Sequence, residues 1–233
     1  MALRPGDGAR TLADVALAEL REAIVSGEIP SGAPLTLQDL VERLSMSSVP
    51  IREALRLLEQ KGLVDRRPHR GVIVSEMSAA DLEDTYNIRL DLESMAVRRA
   101  ATRMQEADRA QLSALLDQYD AALRAEHNLA RHVHTALHMA IYERADSRLL
   151  RLLLPTLWDN SERYRQLQLS VRGTPEQRFE EHRLLVEACT SGDPGRAERE
   201  LRKHLSRTMD AAVALLRERE TSAASPLNGG VHG

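Results

Sequence analysis

Cysteine is almost absent from this chain of 233 residues: Cys189 is the only one. A single thiol excludes an internal disulfide framework and fits a reducing compartment. Aromatic residues are scarce as well, at 3%, with one Phe and one Trp. Apolar residues still make up 42% of the chain. The core must therefore come from Leu, Ala, Val and Met, which favours helices over sheets. No apolar run approaches the ~20 residues that span a bilayer. Residues 1–9 lack the hydrophobic segment of a signal peptide, so a cytoplasmic protein is expected. A strong charge imbalance is also missing. The net charge of −3 does not announce a nucleic-acid partner. Locally the picture differs: residues 52–70 hold six basic groups (Arg52, Arg56, Lys61, Arg66, Arg67, Arg70) against Glu53, Glu59 and Asp65. For phosphate contact, a local patch matters more than the global sum.

That patch begins in the most sharply bounded stretch of the chain. Ser47 or Ser48 can cap a helix whose first turn tolerates Pro50, and Gly62 suits its end. Ile51, Leu55 and Leu58 make an apolar stripe, while Arg52 and Arg56 project together from another face. Such a helix suits a DNA major groove, where Arg reads guanine edges or clamps phosphate. A solvated surface helix would look similar in isolation, so the flanking segments decide.

Upstream, Thr11-Leu12-Ala13-Asp14 and Thr36-Leu37-Gln38-Asp39 are helix-start signals. The first predicts an amphipathic helix to about Ser26, the second a short one to about Ser45, with Gly27, Pro30, Gly32 and Pro34 forming the loop between them. The second helix and the arginine helix make a helix-turn-helix. Downstream, residues 63–67 and 71–75 are β-prone, with Pro68-His69-Arg70 as the turn. A basic hairpin there is a wing, able to set Arg70 and Gly71 against the DNA backbone or in the minor groove. The alternative is an ordinary hairpin with a charged tip.

Residues 11–75 resemble the winged-helix domain of GntR-type bacterial transcription regulators. The resemblance is carried by Ser26–Gly32, by Leu40-Val41-Glu42-Arg43-Leu44, by the run Val49–Glu59, and by Lys61-Gly62-Leu63-Val64 and Arg70-Gly71. It implies operator contacts from Arg52, from the region of Gln38, and from the wing tip at Gly71. Ser47, Ser48, Val49, Arg56 and Arg70 complete the expected DNA-binding set. Ser48 stands where the family usually carries Arg, which removes one expected contact and shifts base reading towards Arg52, with Arg56 on phosphate.

From Ser78 onward the sequence reads helical, with breaks near 105–108, 126–128, 146–147, 172–174 and 191–195, hence six helices. The chain thus divides into a flexible lead (1–10), a winged helix-turn-helix (11–75), an all-α bundle (78–218) and a disordered tail (219–233). The fold class is mainly α with a small β wing.

Four histidines in the bundle have informative positions. His134 and His138 lie one turn apart on one helix face, a common way to offer two imidazoles to a metal. His182 and His204 each lie 11 positions from Asp193, the centre of the turn between their helices. In an antiparallel pair they stand at the same level. Taken singly, any of them could be an ordinary core or surface histidine.

Residues 78–218 resemble the ligand-binding domain of the FadR-type branch of GntR regulators, the FCD domain. Tyr86, Arg89, Leu92 and Glu93, then His138–Glu143, Leu157-Trp158, Arg163-Tyr164, Glu181-His182-Arg183 and His204-Leu205 carry it. The resemblance implies that His138, His182 and His204 ligate a divalent metal. His134 occupies the place of the usual Asp ligand. An all-nitrogen set suits Zn or Ni better than Mg or Ca. It also implies a small carboxylate-bearing metabolite near the metal, with Arg89 as its candidate partner and Arg163 and Arg165 as weaker ones. Arg89 could instead pair with Asp84, Asp91 or Glu93.

The expectation is a homodimeric, metabolite-responsive regulator, acting as a repressor on double-stranded operator DNA in the bacterial cytoplasm. It is not expected to be an enzyme. Thr135 follows His134, so the general base of a His-Glu-x-x-His metalloprotease helix is missing. A purely structural metal without an effector is the remaining alternative.

Overall fold

The computed structural model describes residues 11–68, 70–125, 127–165 and 173–224. The chain divides into two compact units, 1–77 and 78–233. Among the described residues, no helix is long and apolar enough to cross a membrane.

The first unit contains α1 (Leu12–Val25), β1 (Pro34–Leu35), α2 (Leu37–Leu44), α3 (Ser48–Gln60), β2 (Val64–Arg67) and β3 (Gly71–Val74). Thr11 and Asp14 close a reciprocal capping box at α1, and Thr36 caps α2 through the Asp39 amide. Ile51, Ala54, Leu55 and Leu58 turn one face of α3 into a shared core with Ala16, Leu20 and Ile24 of α1 and Leu40 of α2. Packing that stripe inward leaves the arginine face outward. Ser45 takes a left-handed conformation, φ 51°, and makes the tight turn between α2 and α3. The three strands form an antiparallel sheet in the order β1-β3-β2, with Arg67 opposite Gly71 at the wing end.

Two details depart from the sequence expectation. Strand β1 was not anticipated, because two residues carry no alternation signal. Pro34 is tolerated there because β1 is an edge. The helix cap at α3 is also different. Ser47 sits at the N-cap with extended backbone, yet its hydroxyl makes no capping hydrogen bond. The third helical residue is Pro50, which has no N–H to donate.

The second unit is a bundle of α4 (Ala79–Ala101), α5 (Glu106–Ala125), α6 (His127–Glu143), α7 (Arg148–Arg165), α8 (Pro175–Thr190) and α9 (Pro194–Ala224). Helix α4 runs through its middle and packs against α9, α7, α6 and α8. Thr174, Pro175 and Gln177 start α8 with a full capping box. Helix α9 continues to Ala224, so residues 219–224 are helical rather than part of a tail. They contain no Gly or Pro, and the Glu220 carboxylate accepts from the Ala79 amide at 2.9 Å, which ties this turn to the start of α4. The expected lead at 1–10 and the rest of the expected tail, 225–233, lie outside the described residues. Cys189 is buried in α8, and burial pushes its thiol pKa up to about 12.

Candidate functional site

On the first unit, the outward face of α3 and the wing enclose an open groove of about 530 Å³. Arg52, Arg56, Arg66 and Arg70 line it together with Thr36 and Gly71. Four guanidinium groups in one groove make a concentrated field for phosphate or a guanine edge. Their freedom differs. Arg56 is held by Glu53, with Nη2 to the carboxylate at 2.6 Å, and Arg66 lies 3.6 Å from Glu59. The hydrogen bond from Arg56 and its charge hold the Glu53 carboxyl below its ordinary range. Val49 at the start of α3 is 74% exposed, an unusual place for an aliphatic side chain and a suitable one for a thymine methyl. Ser47 is exposed beside it and Ser48 is half-buried.

Gln38 is exposed on α2, with its amide 3.5 Å from Glu42. Gly71 opens the returning wing strand at φ +72°, with nothing near its missing side chain. That combination allows close backbone approach by a partner. His69 lies outside the described residues. From sequence, Arg66 counted only within the basic run and Thr36 only as a helix start. Alternation puts Arg66 on the face of the buried Val64, so strand period gave no signal for its exposure.

On the second unit, α6, α8 and α9 bring His134, His138, His182 and His204 together. All four are buried, and one nitrogen from each lies within 4.8 Å of the others. Ring centroids are 4.6 Å apart for His134 and His138 and 4.7 Å apart for His182 and His204. The equal spacing from Asp193 thus corresponds to real proximity. Tyr119 of α5 and Trp158 of α7 flank the cluster, with ring centroids 4.8 Å from His182 and His138 respectively. Neither was foreseen, because each enters from a helix that carries no cluster histidine.

The donor set fits a transition metal. A zinc ion ~2.0–2.1 Å from each nitrogen spaces tetrahedral donors by ~3.4 Å. Side-chain adjustments of under ~1 Å would close four nitrogens already this near one another. The far side of two rings meets oxygen. The His182 Nδ1 lies 2.6 Å from the Arg178 carbonyl and the His138 Nδ1 3.0 Å from the Tyr142 hydroxyl. Such partners fix ring orientation at metal centres. The His204 Nδ1 lies 3.5 Å from a Glu181 carboxylate oxygen without a hydrogen bond to it.

Arg89 lies in α4 behind His138, 4% exposed. Its Nε donates to Glu93 at 2.5 Å and its Nη1 to Ser161 at 2.8 Å. The guanidinium carbon is 4.6 Å from the centroid of Trp158 and 4.8 Å from that of Tyr86. Of the three acids considered from sequence, Glu93 is the one it pairs with. Burial opposes the Arg89 charge, but the Glu93 carboxylate outweighs it, and the pKa rises above the ordinary arginine value. Arg163 is buried in α7, 5.7 Å from the Tyr164 ring centroid. The Arg165 side chain lies outside the described residues.

Comparison with known proteins decides the class. Residues 12–74 match the model for bacterial regulatory proteins of the gntR family, and residues 84–207 match that of the FCD domain. The chain belongs to the GntR family. This regulator is 28% identical over 200 residues to the HTH-type transcriptional repressor RspR of Escherichia coli K12, covering 85% of this chain and 88% of that one. Its fold matches the structure of E. coli McbR/YncC with a TM-score of 0.77 at 24% identity, covering 91% and 100% of the two chains. A GntR-family regulator from Pseudomonas syringae pv. tomato matches at TM-score 0.53 and 27% identity, covering 91% and 89%. The regulator is mainly α with a winged helix-turn-helix, and it is a transcription regulator rather than an enzyme.

Proposed function

We propose that this regulator is a homodimeric repressor whose operator affinity is set at the histidine cluster. A divalent metal, Zn or Ni before Mg or Ca, is held by His134, His138, His182 and His204. The observation carrying this reading is four buried imidazoles with donor nitrogens within 4.8 Å of one another. A metal held there would supply a Lewis-acidic position for an oxygen of a small carboxylate metabolite, provided its coordination expands beyond the four imidazole nitrogens. Arg89 is its candidate partner. Among the described residues, Glu93 takes two of the five guanidinium N–H groups and Ser161 one, which leaves two for an incoming acid. Cytoplasmic action on the nucleoid follows from the DNA role.

On DNA, Arg52 reads a base edge and Arg56 serves phosphate, because Glu53 holds Arg56 along the helix. Val49 meets a thymine methyl, Ser47 and Ser48 offer hydroxyls to phosphate, and Gln38, Arg70 and Gly71 make flanking contacts. Two copies are needed, since one short helix reads too few base pairs for specificity.

A surface suited to a second copy lies on α4 and α7. The bonds of Arg89 to Ser161 and of Trp158 to Glu93 set these helices antiparallel. Their solvent faces expose Ile88 and Met95 on α4, and Leu149, Leu152 and Leu153 on α7. Exposed leucines grouped in this way mark an association site. The double variant Leu152→Glu/Leu153→Glu is expected to sediment as a monomer and to lose at least tenfold in operator affinity. Sedimentation velocity and fluorescence anisotropy check both outcomes.

The function itself is tested by anisotropy on DNA from the promoter region beside the gene. Zinc is compared with chelator, each with and without hydroxy, keto or sugar acids. Coupling between the two sites is expected to shift operator affinity ~5–150-fold. An affinity untouched by metal and by every acid would overturn the regulatory role of the cluster.

A further inference from the structure

Behind the cluster runs a buried chain of hydrogen bonds that joins three helices. The Tyr142 hydroxyl of α6 donates to the Glu93 carboxylate of α4 and lies 3.0 Å from the His138 Nδ1, one turn back on its own helix. The Trp158 indole of α7 donates to the same carboxylate at 3.0 Å, and Arg89 donates to both of its oxygens. Ser161 of α7 takes the Arg89 Nη1 hydrogen and donates in turn to the Trp158 carbonyl at 3.0 Å. His138, Tyr142 and Glu93 are essentially closed to solvent.

The direction of this chain is set by chemistry. A carboxylate only accepts, so the single Tyr142 hydrogen goes to Glu93. The hydroxyl then has only lone pairs to offer His138. The contact is a hydrogen bond only if the His138 Nδ1 carries the hydrogen. That leaves the Nε2 lone pair as the nitrogen offered to the cluster. Desolvation, then the neighbouring Glu93 charge, holds the Tyr142 phenol well above its ordinary pKa.

We propose that Tyr142 and Glu93 are positioning residues that lock His138 into the Nδ1–H form, with Nε2 aimed into the histidine cluster. Arg89, Trp158 and Ser161 hold Glu93 in place for that task. The proposal rests on reading the cluster as a metal site, but the tautomer stands on its own. The other ring held by an oxygen on its far side, His182, uses a simpler partner, a backbone carbonyl. His138 is the fully buried ring, and its oxygen partner is the one tied into a network. Removing such a support ordinarily costs roughly 10–100-fold in metal affinity.

The test uses the full chain with 15N-labelled histidine. Long-range 1H–15N NMR on chelator-stripped protein reads the His138 tautomer, assigned by loss of its signals in His138→Gln. Zinc affinity is read by competition with a chromophoric chelator. The wild type is expected to show His138 as Nδ1–H. Tyr142→Phe is expected to release that lock into a tautomer mixture and to weaken zinc binding roughly 10–100-fold. Glu93→Gln, which keeps an acceptor for Tyr142, is expected to lose less and serves as the comparison should the Phe variant not fold. His138 found as Nε2–H in the wild type overturns the proposal. So does a tautomer and zinc affinity unchanged in Tyr142→Phe. A wild type that binds no zinc yet shows the lock, released in Tyr142→Phe, counts against the metal reading and in favour of the relay.

Discussion

Arg52→Ala is expected to reduce operator affinity by roughly 30-fold to 10⁴-fold while leaving the fold intact. Arg52 is exposed on α3, on a different face from the buried stripe of Ile51, Leu55 and Leu58. Its truncation therefore removes no core contact. A bidentate arginine contributes ~1–3 kcal/mol of discrimination, and a dimer carries two. The loss should fall mainly on specific DNA, with non-specific binding changed far less. Arg56→Ala should behave differently. It should weaken binding to all sequences alike and lower the salt dependence. Anisotropy titrations on operator and scrambled DNA at two salt concentrations separate the two roles. Equal losses on both DNAs for Arg52→Ala would remove its base-reading role.

The largest effect on stability is expected at Glu93. This side chain is fully buried and receives hydrogen bonds from Arg89, Tyr142 and Trp158. Glu93→Ala would strand the Arg89 guanidinium in the interior of the bundle. Breaking a buried pair by removing one partner typically costs ~3–5 kcal/mol. For a unit of this size that corresponds to a fall of ~6–20 °C in Tm. Removing the second charge as well should recover much of the loss, because a buried pair exchanged for apolar groups is often near neutral. Arg89→Leu/Glu93→Ala is therefore expected to melt above Glu93→Ala alone. Calorimetry on the two variants decides this, and a double variant no more stable than the single one would contradict the pairing.

Much of this was legible in the sequence, for local reasons. Thr11 and Thr36 marked helix starts because capping is a contract between residues three apart. The arginine helix was legible from its stripe and its flanks. The level of His182 and His204 could be counted because both helices leave one short turn. Other features were not accessible this way. Strand β1 is two residues long and owes its existence to pairing with β3. Ser47 satisfied the composition of a cap, but Pro50 removed the amide it would have served. Arg89 and Glu93 were visible as an i,i+4 pair. That Tyr142, Trp158 and Ser161 converge on them depends on how α4, α6 and α7 pack, which spacing along one helix does not encode.

Metal content of the untagged protein, purified without chelator or metal-affinity resin, bears most directly on the histidine cluster as the control centre. Inductively coupled plasma mass spectrometry should find close to one zinc or nickel ion per chain in the wild type. The His182→Ala/His204→Ala variant should hold almost none, since half of the clustered nitrogens are gone. A wild type without bound metal, or a double variant that keeps its full complement, would contradict the cluster's role.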